Sequence, residues 1–186
     1  MKRIFDLLLS VFLIIIFALP SIFIAFLVKF SSKGKILYWS DRVGINNIIF
    51  KMPKFRTMKQ DAPELASHLL DEPMSLLTPV GNFLRKYSLD EIPQLWSILI
   101  GQMSFVGPRP ALFNQHDLIR LRSKHKVDKI LPGLTGWAQV NGRDELNIND
   151  KVARDVEYLK NYSFFFDLKI IWLTILGVVK KDGVSH

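Results

Sequence analysis

No cysteine occurs in the 186 residues. Disulfide scaffolds, cysteine-ligated zinc, iron–sulfur clusters and thiol nucleophiles are thereby excluded, and a reducing compartment fits the absence. Acidic residues are few beside basic ones, 17 against 25, for a net charge of +8. The four histidines, His68, His116, His125 and His186, lack metal-ligand spacing. No P-loop, dinucleotide fingerprint, internal repeat or low-complexity tract is present. Long disorder is excluded by an apolar content of 49%, because a chain this apolar can bury a core. The length suits one domain, or one domain with an attachment.

Charge is also missing from Leu7 to Val28, which is almost entirely Leu, Ile, Phe, Val and Ala. A helix needs about 20 such residues to span a bilayer. No small-residue cleavage site precedes Lys29, which argues against a secretory signal; a buried core helix is the plainer reading. Lys2 and Arg3 lie before the run, and Lys29, Lys33 and Lys35 after it. Positive charge marks the cytoplasmic side, so both flanks ask for the same side. Pro20 removes one helical hydrogen bond inside the run. A re-entrant hairpin bent at Pro20 satisfies both flanks and is the expected geometry; a kinked single span is the alternative.

The remaining chain reads as a mostly helical domain with a little β structure. Ile36 to Trp39 and Ile48 to Met58 read as extended pieces around Gly44-Ile45-Asn46-Asn47, with Pro53 confining the second to a sheet edge. Helices are expected from Asp61 to about Leu70, from Thr78 to Lys86, from Ser88 to Gly101, from Asn114 to Lys124, and from a cap at Asp150 to Lys160. Pro132 to Gly142 reads as a loop or short strand. Phe164 to Val179 is apolar apart from Asp167 and Lys169. It is short for a span; it suits a core helix, a dimer face, or a place in the membrane interface with Trp172 at headgroup level.

Ser88-Leu89-Asp90-Glu91-Ile92-Pro93-Gln94-Leu95 carries the strongest chemical signal. Ser-x-x-Glu is a capping box, so one reading gives Glu91 only a capping role. Asp90 lies in the same first turn, where free N–H groups stabilise a carboxylate anion that can attack phosphorus or hold Mg²⁺. Arg109, between Pro108 and Pro110, offers a planar fork suited to phosphate. Lys54, Arg56 and Arg85 add positive charge fit for a doubly phosphorylated substrate. Gln139, Asn141 and Arg143 lie in a Gly-rich loop suited to close approach by a nucleotide.

In order along the chain come a basic, apolar hairpin, Lys54-Phe55-Arg56-Thr57-Met58, the Asp90-Glu91 segment, Met103-Ser104-Phe105-Val106-Gly107-Pro108-Arg109-Pro110, and Pro132-Gly133-Leu134-Thr135-Gly136. This order resembles the bacterial sugar transferases, the monotopic phosphoglycosyl transferases of glycoconjugate assembly, in their minimal form and from about Lys2 to Ser185. The resemblance implies transfer of a sugar-1-phosphate from a UDP-sugar to polyprenyl (undecaprenyl) phosphate, with release of UMP. It implies Asp90 as nucleophile with Mg²⁺ beside it, Glu91 as its partner, Arg109 on phosphate, and Arg143 with its loop on the donor. It also implies a monotopic protein on the cytoplasmic face of the bacterial inner membrane. Three positions depart from the pattern: Leu19 stands before Pro20 where Ser is frequent, Gln102 stands where an acid is common, and Pro53 is unusual in the edge strand.

The expected fold class is α+β: a re-entrant membrane helix hairpin over 1–29, then a catalytic domain over 30–186. That domain is mostly helical, with a small β-hairpin or edge sheet and interfacial amphipathic helices. The expected partners are the UDP-sugar, undecaprenyl phosphate and membrane lipid, with a homodimer left open. A membrane-attached glycosyltransferase would instead release UDP. A basic membrane adaptor or nucleic-acid binder is a third reading. The compact acidic pair and the lack of an interleaved aromatic and basic strip argue against nucleic acid.

Overall fold

The computed structural model describes residues 1–59, 62, 76–142 and 146–180. The apolar N-terminal run forms one helix, α1, over Lys2–Ser31, with Pro20 inside it. Loss of a single N–H does not end a helix whose neighbouring bonds survive in apolar surroundings. The chain is not divided at Pro20 into the two separate arms expected of a hairpin. Inward-facing residues recur at helical spacing. Asp6, Ser10, Ile24 and Val28 are buried, and Leu9, Leu13, Ile14 and Phe17 pack partly buried on the main core. Leu8, Phe12, Ile15, Leu19, Phe23 and Phe26 face outward and exposed.

Two strands follow as an antiparallel ribbon, β1 (Leu37–Val43) and β2 (Ile49–Phe55). The register pairs Leu37 with Phe55, Trp39 with Pro53 and Val43 with Ile49. In a two-stranded ribbon every strand is an edge, which accommodates Pro53. Asn46 and Asn47 both take positive φ in the connection, a conformation their short side chains tolerate. The helix expected over Asp61 to Leu70 falls on 61 and 63–70, outside the described residues.

The other helices are α2 (Gly81–Lys86), α3 (Gln94–Leu99), α4 (His116–Lys124), α5 (Trp137–Val140), α6 (Ile148–Lys160) and α7 (Phe164–Lys180). A parallel pair, β3 (Ser104–Val106) and β4 (Gly133–Thr135), lies among them. The helix expected from Ser88 to Gly101 is divided. Ser88 sits at φ +54, and its N–H donates to Arg85 O at 3.0 Å, so it closes α2. A single 3-10 turn, Leu89–Glu91, follows, and α3 starts after Pro93. Gly101, at φ +89, ends that stretch as expected. The cap of α6 is Asn147, whose side chain accepts from Asp150 N at 2.9 Å; Asp150 lies inside the first turn.

The main core holds Phe50, Met52, Leu95, Ile98, Met103, Phe105, Val106, Tyr158 and Ile170. Each such side chain contributes about 1.5–3 kcal/mol on burial. A second cluster joins Ile24 and Val28 of α1 to Phe55 and Leu84. The charges that interrupt the apolar helices are paired. Lys2 Nζ meets Asp167 Oδ2 at 2.6 Å and donates to Val106 O at 3.0 Å. Tyr158 OH donates to Asp167 Oδ1 at 2.6 Å, and Asp6 Oδ1 accepts from Phe105 N at 3.2 Å. Helix α7 therefore has two faces. Asp167 and Ile170 are buried, whereas Phe165, Trp172 and Ile175 are exposed.

Candidate active site

Four separate segments meet at the acidic pair. The 3-10 turn carries Asp90 and Glu91, β2 carries Lys54, α2 carries Arg85, and the loop after β3 carries Arg109. Glu91 Oε1 accepts from Lys54 Nζ at 2.7 Å and from Arg109 Nη2 at 3.0 Å. Lys54 Nζ also lies 3.9 Å from Asp90 Oδ2. Arg85 is aimed by Thr57, whose Oγ1 accepts from its Nε at 2.9 Å. The capping box is not formed: the Ser88 side chain makes no cap, and Glu91 is engaged by the two cations.

The two acids are shifted in opposite directions. Burial works to raise the pKa of Glu91, but Lys54 and Arg109, by charge and hydrogen bond, outweigh it and hold the carboxyl well below its usual range. Asp90 goes the other way. Burial raises its pKa, Lys54 opposes, and the Glu91 charge raises it further. Asp90 is 6% exposed. No hydrogen bond from the described residues reaches it, and its nearest cation is the Lys54 ammonium at 3.9 Å. One acid thus fixes the local cations, while the other is buried beside them and, among the described residues, accepts no hydrogen bond. Such a group is primed for attack or for a metal.

Among the described residues no set of three or more His, Cys, Asp or Glu could hold a metal. A metal here would find Asp90 as its protein ligand and complete its shell with substrate phosphates and water. That pattern fits magnesium.

The loop that presents Arg109 depends on close backbone contact. A Cβ on Gly107 would lie 2.4 Å from Leu131 O, and one on Gly133 would lie 2.1 Å from Gly107 N. Glycine at both positions lets the turn that follows β3 pack directly on the start of β4.

Not every sequence candidate gathers at this point. The Arg56 guanidinium instead caps the C-terminus of α1. It donates to Ser32 O at 2.8 Å, Ser32 Oγ at 2.9 Å and Val28 O at 3.5 Å, and also bonds Lys33 O. Gln139 and Asn141 bond the backbone of their own loop, at Leu134 O and Trp137 O. Arg143 lies outside the described residues. Sequence reasoning passed over Thr57, which orients Arg85, and Arg42 and Arg122, which bond the backbone of the Arg109 loop. Thr57 lies within the Lys54 to Met58 motif without a role of its own there, and no local motif marks Arg42 or Arg122; the partners of all three are remote in sequence.

The structure thus sets a buried acidic pair ringed by three cations, suited to an anionic ligand, in a chain whose N-terminal helix is long and apolar enough to cross a membrane. Residues 1–181 match the family described as Bacterial sugar transferase, and the chain belongs to that family. It is 36% identical to the uncharacterized sugar transferase EpsL of Bacillus subtilis (strain 168), over all of this chain and 91% of the relative. It is 37% identical to the exopolysaccharide production protein ExoY of Rhizobium meliloti (strain 1021), over 98% of this chain and 87% of the relative. It is also 36% identical to the UDP-glucose:undecaprenyl-phosphate glucose-1-phosphate transferase of Escherichia coli (strain K12). That match covers 97% of this chain but 41% of the longer relative.

Proposed function

We propose that this sugar transferase is a phosphoglycosyl transferase. It moves a sugar-1-phosphate from a UDP-sugar to undecaprenyl phosphate and releases UMP, the first membrane step of exopolysaccharide or capsule synthesis. The donor and acceptor classes are those named for the Escherichia coli relative. The observation that carries the reading is the division of labour between the two acids: Glu91 is engaged by Lys54 and Arg109, and Asp90 is buried without a donor.

Asp90 attacks the sugar-proximal phosphorus, and the bond from that phosphorus to the bridging oxygen breaks. UMP departs with that oxygen, leaving an aspartyl phosphosugar. A phosphate oxygen of the lipid then attacks the same phosphorus and returns Asp90 as a carboxylate. Two displacements at one carboxylate give ping-pong kinetics. Arg109 and Lys54, already aligned by Glu91, hold the diphosphate oxygens; Arg85 adds to the field at the same acids. Asp90 is the residue that would hold magnesium together with the donor phosphates, and the ion would supply neutralisation of the charge on the leaving UMP.

Residues 1–29 serve as the membrane anchor and 30–186 as the catalytic domain, on the cytoplasmic face and in one leaflet. The basic flanks of α1 and the outward apolar face of that helix support this placement. The test is nucleotide release. Purified protein in lipid receives Mg²⁺, undecaprenyl phosphate and a panel of UDP-sugars, and UMP is separated from UDP. Acceptor-dependent UMP is expected. UDP would mean cleavage of the sugar–oxygen bond and would overturn the mechanism.

A further inference from the structure

Arg109 stands between two prolines, which have no N–H with which to tie down its loop. The loop is held through its carbonyls instead. Pro108 O accepts from Gly133 N at 2.9 Å. Arg109 O accepts from Arg122 Nη1 at 2.7 Å. Pro110 O accepts from Arg42 Nη1 at 3.1 Å. Three consecutive carbonyls are bonded, two of them by guanidinium groups.

Both guanidinium groups are themselves fixed. Arg122 is buried, and its Nε and Nη2 reach Asp155 Oδ2 at 2.9 and 2.7 Å. Asp155 is 2% exposed on the opposite helix, α6. Arg42 Nε donates to the buried Ser40 Oγ at 3.0 Å, and β1 is bridged at Arg42 to Leu112, just past the loop. The prolines restrict φ on either side of Arg109. The tilt of the peptide planes is what remains free, and the carbonyl bonds fix that tilt.

We propose that Arg122, locked by Asp155, and Arg42 are positioning residues for Arg109. They hold the 108–110 backbone so that the Arg109 guanidinium meets Glu91 and the substrate phosphate. The phosphate part rests on the proposed function; the alignment on Glu91 does not. Neither arginine bonds the acidic pair in the contacts described here, and both act through the loop. A misplacement of about 1 Å in such a group costs up to about 100-fold in rate.

Two variants test this. Arg122→Lys keeps a charge beside Asp155 but gives up the planar fork. Arg42→Gln alters a half-buried residue and puts the fold at less risk. The first readout needs no turnover: solvent exchange of the Arg109 guanidinium protons by NMR, on the full chain in lipid nanodiscs. The signals are identified by their loss in Arg109→Ala, and thermal unfolding confirms that each variant is folded. Exchange about tenfold faster than in the parent is expected; unchanged exchange in both folded variants overturns the proposal.

The second readout is kcat/KM for UMP release from UDP-glucose. Each substitution lowers it about tenfold alone, and by nothing further in the Arg109→Ala background. Losses that multiply in that background mark an ordinary structural role and overturn the proposal. A parent protein that releases no UMP counts against the functional reading alone, and the exchange readout then decides this one.

Discussion

Lys54→Met tests the charge logic of the site directly. The substitution keeps most of the side-chain volume and removes the ammonium that lies 2.7 Å from Glu91 Oε1 and 3.9 Å from Asp90 Oδ2. At about 4 Å and an effective dielectric constant near 20, one such charge is worth about 4 kcal/mol as a ceiling. Glu91 keeps Arg109 and stays ionised. Among the described residues Asp90 has no hydrogen-bond donor to fall back on, and its pKa is already raised by burial. Its carboxylate form, the one that attacks, loses its nearest stabilising charge, and the acid is protonated up to a higher pH. The acid limb of kcat/KM should therefore move toward neutral by at least about one pH unit and at most about three. Across a series from acid to alkaline pH, activity is lost first at the acid end and best kept at the alkaline end. The assay is UMP release across that range in one fixed lipid mixture, since anionic lipid shifts the local pH. An acid limb that coincides with that of the parent would refute the claim that Lys54 holds the charge on Asp90.

Asp90→Asn should abolish turnover while leaving the unfolding midpoint unchanged or higher, because a carboxyl whose pKa is raised by folding destabilises the native state at neutral pH; near-normal UMP release in this variant would sink the mechanism. Arg56→Ala should cost about 1–3 kcal/mol of stability through the α1 carbonyls it leaves unsatisfied. Its donor KM should be unaffected, and an intact midpoint with a raised KM would move Arg56 into the site. Asp167→Ala strands Lys2 beside Tyr158 and Val106 O, and should lower stability by about 3–5 kcal/mol. Thermal unfolding in detergent reads this, and an unchanged midpoint would mean the pair is solvated.

The acidic pair, Lys54 and Arg109 were legible as a group because motif order along the chain brings them together on the page. Arg56 was misplaced by the same reasoning. It lies two residues from Lys54, the spacing of a shared strand face, but β2 ends at Phe55 and Arg56 turns to the end of α1. Ser88 read as the start of a helix because Ser-x-x-Glu is a start signal. The left-handed backbone that makes it a stop depends on α2 before it, which a four-residue pattern does not contain. Pro20 reads as a bend within a helix, and one helix, α1, does run through it. Arg122 carries no local signal at all, since its partners lie 13 and 33 residues away and only folding brings them together.

The apolar helix does more than attach this protein to a surface. Ile24 and Val28 complete the packing around Phe55 and Leu84, Lys2 neutralises Asp167, and the last carbonyls of α1 satisfy Arg56. Arg3 donates to Ile98 O and Leu99 O, closing the helix that follows the acidic pair. A chain cut free of α1 would take the ammonium from Asp167 and half of the cluster from Phe55 and Leu84, so trimming the helix is expected to destabilise the rest of the fold. Grafting the catalytic portion onto a foreign membrane tether meets the same obstacle. In this enzyme the apolar helix is therefore part of the folded unit, not an appendage to it.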